Sequence, residues 1–213
     1  MTIEERMITF GAHWHPKVKI TQLGKFGREN RETRKITIGT HTGTHIDAPR
    51  HFIKNGKTVE KICLNWLCGE ALLLDFSKKK NKSPINVSDL RSKIGNKKAE
   101  RLVLRYDWDI KALGSKLYYS DHPYLTAEAC KWIVAQKIKV LGLDAPQPDN
   151  PINGFGSKSD AENHKILLKN NVFIVEYLIN LKKIKQKNFN FFVCPLKIKD
   201  GDGSPARCFA IVK

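Results

Sequence analysis

The stretch His41-Thr-Gly-Thr-His45-Ile-Asp47-Ala-Pro49-Arg-His51-Phe52 puts three histidines and an aspartate within eleven residues. Two histidines four positions apart can bind one metal from a helix, as in the zincin HExxH motif. Here Thr42 and Gly43 stand where that motif needs its glutamate, and Gly43 and Pro49 interrupt a helix. The segment instead reads as a loop leaving a strand over Arg34–Thr40, with Gly43 turning the backbone and Pro49 fixing its exit. Such a loop aims His41, His45 and Asp47 at one ion. This N,N,O set suits Zn²⁺ or Mn²⁺ and leaves positions open for water. His51 is a further imidazole close by, free to move protons.

The run resembles the HxGTHxDxPxH signature of the metal-dependent cyclase-like hydrolases, a family that includes bacterial kynurenine formamidases and isatin hydrolases. The resemblance implies that His41, His45 and Asp47 ligate a first metal and that His51 is the catalytic histidine. It extends over roughly residues 34–213, and its implications can be compared with what the other segments say by themselves.

Upstream, Arg34-Lys-Ile-Thr-Ile alternates as a strand does, with Ile36 and Ile38 on one face. Residues 1–33 diverge from the family pattern. His13-Trp14-His15-Pro16 reads as an exposed loop, although an extended backbone would put both histidines on one side of the pocket. Downstream, Val59, Ile62 and Leu67 suggest a short helical piece. Glu70–Asp75, Arg101–Tyr106 and Val140–Asp144 read as strands, the last carrying an acid at its end. Ser88 is the expected cap of a helix through Lys93, and Thr126-Ala-Glu128 opens another helix. The loop Asp144-Ala-Pro-Gln-Pro-Asp149 offers two structural or outer-shell carboxylates.

Ser159 or Asp160 is positioned to cap a helix running to about Lys169, on which His164 stands beside an apolar face containing Leu167 and Leu168. Val172–Val175 is a buried strand ending at Glu176. A carboxylate there is costly unless paired, solvated or bound to metal. The spacing resembles the family's H(x)₁₁E pair, which implies a second ion held by His164 and Glu176 with Asp47 bridging. Asn190–Lys197 and Cys208–Val212 read as two strands, and the Asp200-Gly-Asp-Gly-Ser-Pro205 run between them as a tight, structural turn.

The chain has 213 residues, 41% hydrophobic and 28% charged, which describes one ordinary globular domain over residues 1–213. No apolar run is long enough for a membrane span, and the first residues lack the apolar core of a signal peptide. Five scattered cysteines without a CxxC pair suit a reducing, cytoplasmic setting. The net charge of +17 raises the question of nucleic acid. The lysines are dispersed, however, and no zinc-finger, RNP or helix-turn-helix signature accompanies them, so no specific nucleic-acid partner is expected.

The element order by itself gives α/β. The resemblance implies the swivelling β/β/α fold, a mixed β-sheet flanked by helices, assembled as a homodimer or homotetramer and holding one or two ions of Zn²⁺ or Mn²⁺. It further implies hydrolysis of a C–N amide bond by a metal-activated water, with His51 as proton carrier. The small-molecule substrate expected first is N-formyl-L-kynurenine, cleaved to kynurenine and formate. The alternatives are a cyclic amide or ester of the isatin type, a cyclisation, and a metal-containing binding protein without turnover.

Overall fold

The computed structural model describes residues 1–212. In chain order the strands are β1 (Lys19–Gly24), β2 (Thr33–Thr37), β3 (His45–Asp47), β4 (Cys68–Asp75), β5 (Pro84–Ile85), β6 (Arg101–Arg105), β7 (Tyr124–Leu125), β8 (Val140–Leu143), β9 (Phe173–Glu176), β10 (Asn188–Pro195) and β11 (Gly203–Ile211). The helices are α1 (Leu64–Leu67), α2 (Val87–Ile94), α3 (Trp108–Lys111), α4 (Leu117–Ser120), α5 (Ala127–Ala135) and α6 (Glu162–Lys169).

Seven strands close into a barrel in the order β10-β11-β3-β9-β8-β6-β4. β4, β6, β8 and β9 run parallel to their neighbours in that order, and β3, β10 and β11 are joined antiparallel. The mixed sheet expected from the family resemblance is therefore present, closed on itself.

Alternation along the strands explains the closure. Ile46, Leu73, Val103, Val175, Phe191 and Val193 point inward and form one apolar cluster. Leu72, Leu74, Leu102, Leu104, Leu141 and Ile174 point outward and pack with Leu90, Ile133, Leu167 and Leu168 from α2, α5 and α6. Parallel strands covered on both faces read as continuous apolar runs, as Ala71–Leu74 and Val172–Val175 do.

Several local expectations are corrected. The Arg34–Thr40 strand shortens to β2 and lies outside the barrel. It pairs only with β1, its five residues are exposed, and Ile36 is 56% exposed. Alternation cannot distinguish such a ribbon from a barrel strand, because both have two unlike faces. The motif is not all loop: His45–Asp47 is a barrel strand, followed by a single 3₁₀ turn over Pro49–His51.

Asn86 rather than Ser88 caps α2. Its side chain accepts from the Asp89 amide, while Asp89 accepts from the Asn86 amide. Neither Ser159 nor Asp160 caps α6. Ala161 takes that position in a left-handed conformation, and the Asn163 amide donates to Asp149 from the preceding loop at 2.7 Å.

Candidate metal centre

β3 places Ile46 inside the barrel, so His45 and Asp47 share the outer face. Across the ladder His45 faces Glu176 of β9, which projects outward by the same alternation. α6 lies over β9 and brings His164 to the same place. Gly43, at φ +63°, turns the chain ahead of β3, and its carbonyl accepts the His45 Nδ1–H at 2.8 Å. The structure thus brings His41, His45, Asp47, His164 and Glu176 together, with His51 beside them.

His41 donates from Nδ1 to Asp47 Oδ1 at 2.7 Å. His45 Nε2 lies 3.2 Å from Asp47 Oδ1 and 3.4 Å from Glu176 Oε2. On the other side His164 Nε2 lies 3.3 Å from Asp47 Oδ2 and 3.1 Å from Glu176 Oε1. Three donor sets follow among the described residues, His41–His45–Asp47, Asp47–His164–Glu176 and the less buried His41–His51–Asp202, and in each the ligand atoms lie within 4.8 Å of one another. Asp47 Oδ2 is buried with no hydrogen bond of good geometry, facing only the His164 imidazole at 3.3 Å, and a buried carboxylate oxygen is costly unless positive charge answers it. The outer nitrogens are already occupied: His45 Nδ1 by the Gly43 carbonyl and His164 Nδ1 by the Asp149 carboxylate. Metal-ligating histidines are oriented in this way.

The charges are strongly coupled. Burial would lower the His41 pKa, but the Asp47 carboxylate and the bond to Asp202 outweigh it and raise it to about 10. Burial likewise opposes the charge on His164, yet Asp149, Asp47 and Glu176 hold it protonated well above the usual histidine range. Asp47 stays ionised against its burial because His41, His164 and His45 surround it. Glu176 is pushed up by burial and by the Asp47 charge. His51 moves the other way: burial lowers its pKa, against the pull of Asp202. Protons thus stand where a divalent cation would, and His51 favours the neutral, proton-accepting form.

Two residues beyond the expected set touch this centre. Asp202, in the turn read as structural, accepts from His41 Nε2 at 2.8 Å and lies 3.4 Å from His51 Nδ1. Its neighbour Gly203 is required, because a Cβ there would lie 2.6 Å from His41 Cε1 and 2.8 Å from the Ile46 carbonyl. His15 is half-buried rather than exposed. Its Nε2 is buried without a partner and sits where a Cβ on Gly39 would be, at 2.6 Å. His13 remains exposed, as expected. Asp144 accepts the Tyr106 and Asp107 amides and is structural. Aromatic rings border the cluster: Phe52 is 4.3 Å from His51 and 5.0 Å from His164, and Tyr177 is 5.5 Å from His45.

Comparison with known proteins bears on this arrangement. The family model described as "Putative cyclase" matches residues 1–150. The kynurenine formamidase of Bacillus thuringiensis subsp. konkukian (strain 97-27) is 32% identical over 179 residues, covering 84% of this chain and 78% of the relative. That of Erythrobacter litoralis (strain HTCC2594) is 31% identical over 173 residues, covering 81% and 74%. Among solved structures, an isatin hydrolase bound to the product analogue thioisatinate superposes with a TM-score of 0.85 at 25% identity, over 98% of this chain and 87% of that one. A match over more than half its length, with relatives of this similarity, means that the chain belongs to the Cyclase family.

Proposed function

We propose that this chain is a metal-dependent hydrolase of C–N amide bonds, acting on N-formyl-L-kynurenine to give kynurenine and formate. The observation that carries the reading is the convergence of two donor sets on the fully buried carboxylate of Asp47. The names of the relatives at 31–32% identity support the formamidase assignment.

His41, His45 and Asp47 would hold one ion, and Asp47, His164 and Glu176 a second. The nitrogen and carboxylate donors, with no thiolate among them, suit Zn²⁺ or Mn²⁺. A divalent ion bound there supplies Lewis-acid polarisation of a carbonyl and a water acidic enough to attack at neutral pH. The chain does the rest. The Gly43 carbonyl and Asp149 fix two imidazoles with Nε2 facing the centre. Burial of Asp47 and Glu176 excludes bulk water. His51, neutral near pH 7, accepts the proton of the attacking water and returns it to the leaving nitrogen. Phe52, half-buried beside His51 and His164, is the aromatic ring an aryl amide at the centre would meet.

A second reading keeps these residues and changes the substrate to a cyclic aryl amide, supported by the likeness to isatin hydrolase. The family resemblance also supports a homodimer or homotetramer. The unpaired cysteines fit a reducing cytoplasm. Among the described residues no helix is long and apolar enough to cross a membrane.

The test is formate release from N-formyl-L-kynurenine by protein reconstituted with Zn²⁺ or Mn²⁺, against a chelated control. Metal-dependent release supports the formamidase reading. Metal-loaded protein that leaves this substrate intact and opens isatin moves the assignment to the cyclic amide. Loaded protein that turns over neither contradicts both.

A further inference from the structure

We propose that Asp202 is the positioning residue of the centre, with a single carboxylate orienting both His41 and His51. This rests on the metal-hydrolase reading above.

Asp202 comes from the turn between β10 and β11, 161 positions after His41, yet it is tied to both ends of the motif. Before β3, its Oδ1 accepts from Thr40 Oγ1 at 2.9 Å and its Oδ2 accepts from His41 Nε2 at 2.8 Å. After β3, its backbone carbonyl accepts the Ala48 amide at 2.9 Å, and the same Oδ2 lies 3.4 Å from His51 Nδ1. The two imidazoles stack with centroids 3.8 Å apart and planes 27° from parallel. One carboxylate oxygen beside both Nε2 of the first ring and Nδ1 of the second fixes that pairing.

The same arrangement recurs around the centre. The Gly43 carbonyl holds the outer nitrogen of His45, and Asp149 holds that of His164. Asp202 does this for His41, leaving Nδ1 toward Asp47. Only Asp202 also reaches His51, so the orientation of a ligand and that of the proton carrier depend on one side chain. That side chain is 39% exposed, and the ladder beside it is made by the Gly203 and Asp47 backbones, so the fold itself places little demand on its carboxylate.

The experiment compares the parent protein with D202N and T40V after reconstitution with Co²⁺. It reads ion stoichiometry, affinity by chelator competition, the visible Co²⁺ spectrum, and kcat and KM for N-formyl-L-kynurenine. For D202N the expected result is unchanged stoichiometry, affinity lower by about 10–100-fold, an altered spectrum, and at saturating Co²⁺ a loss in kcat exceeding any change in KM. T40V, which frees only Oδ1, moves the same quantities less and adds nothing to D202N. If D202N does not fold, T40V against the parent carries the comparison. Parent-like affinity, spectrum and kcat in a folded variant would overturn the proposal, and so would the loss of one ion per chain, which would make Asp202 a ligand. A parent that takes up no Co²⁺ overturns the metal reading, and this proposal with it.

Discussion

His51 differs from the other imidazoles of the cluster in what burial does to it. His41 and His164 are held protonated by carboxylates, whereas His51 is lowered and stays neutral near pH 7. Its replacement therefore removes a proton carrier and leaves intact the two donor sets that share Asp47. His51→Ala is expected to keep full metal content and lose about 10²–10⁴-fold in kcat, checked by metal analysis beside steady-state kinetics. The raised pKa of His41 gives a second expectation. With its value about 10, the metal-free chain carries that proton at pH 7–8, and ligation requires its removal. Metal uptake should release protons, and apparent affinity should rise with pH across this range. Calorimetry in buffers of different ionisation enthalpy measures both.

The dense motif was legible at this scale because its donors are packed into eleven residues. His164 and Glu176 were legible only as a pair, since a lone histidine on an apolar helix face looks like core. Asp202 was not legible: its partner His41 is 161 positions away, and an Asp-Gly turn needs no function to explain it.

α6 is anchored to the centre by a residue outside it. Asp149 accepts the Asn163 amide through Oδ1 and binds His164 Nδ1 through Oδ2, so one carboxylate both caps the helix and sets its imidazole. Asp149→Ala is expected to destabilise the metal-free protein by more than the roughly 1 kcal/mol of a lost cap, because it also strips buried His164 of its partner, and to cost about 10–100-fold in metal affinity. Urea unfolding of the metal-free protein and chelator competition separate the two effects. The sequence placed α6 within a few residues but not its cap, because Ser159 and Asp160 are the usual capping types and Asp149 acts from 14 positions upstream of the amide it accepts. The sequence of β3 reads as a loop for a related reason. Gly43 and Pro49 punctuate the segment, and three residues are too few to display alternation, although Ile46 inward with His45 and Asp47 outward is what alternation gives.

For the molecule as a whole, the barrel's two apolar faces were legible as continuous hydrophobic runs, and closure was not, since it depends on pairings between distant strands such as β11 with β3. Acid should loosen this fold partly through His122, which is fully buried and donates from Nδ1 to the Pro123 carbonyl. Burial lowers its pKa to about 4, so the ring folds neutral. The stability this contributes is complete above about pH 6.5 and is lost as pH falls toward 4. It amounts to at most roughly 3–4 kcal/mol, at ~1.4 kcal/mol for each pH unit between the two values. His122→Gln is expected to be less acid-sensitive than the parent when urea unfolding is compared at pH 7 and pH 5.

The measurement that bears most directly on the central claim is an anomalous difference map from crystals of Mn²⁺-loaded protein. The account predicts a peak among His41, His45 and Asp47, with a second, where two ions bind, among Asp47, His164 and Glu176. A loaded crystal with no anomalous density against Asp47, or with its density elsewhere on the barrel, would contradict it.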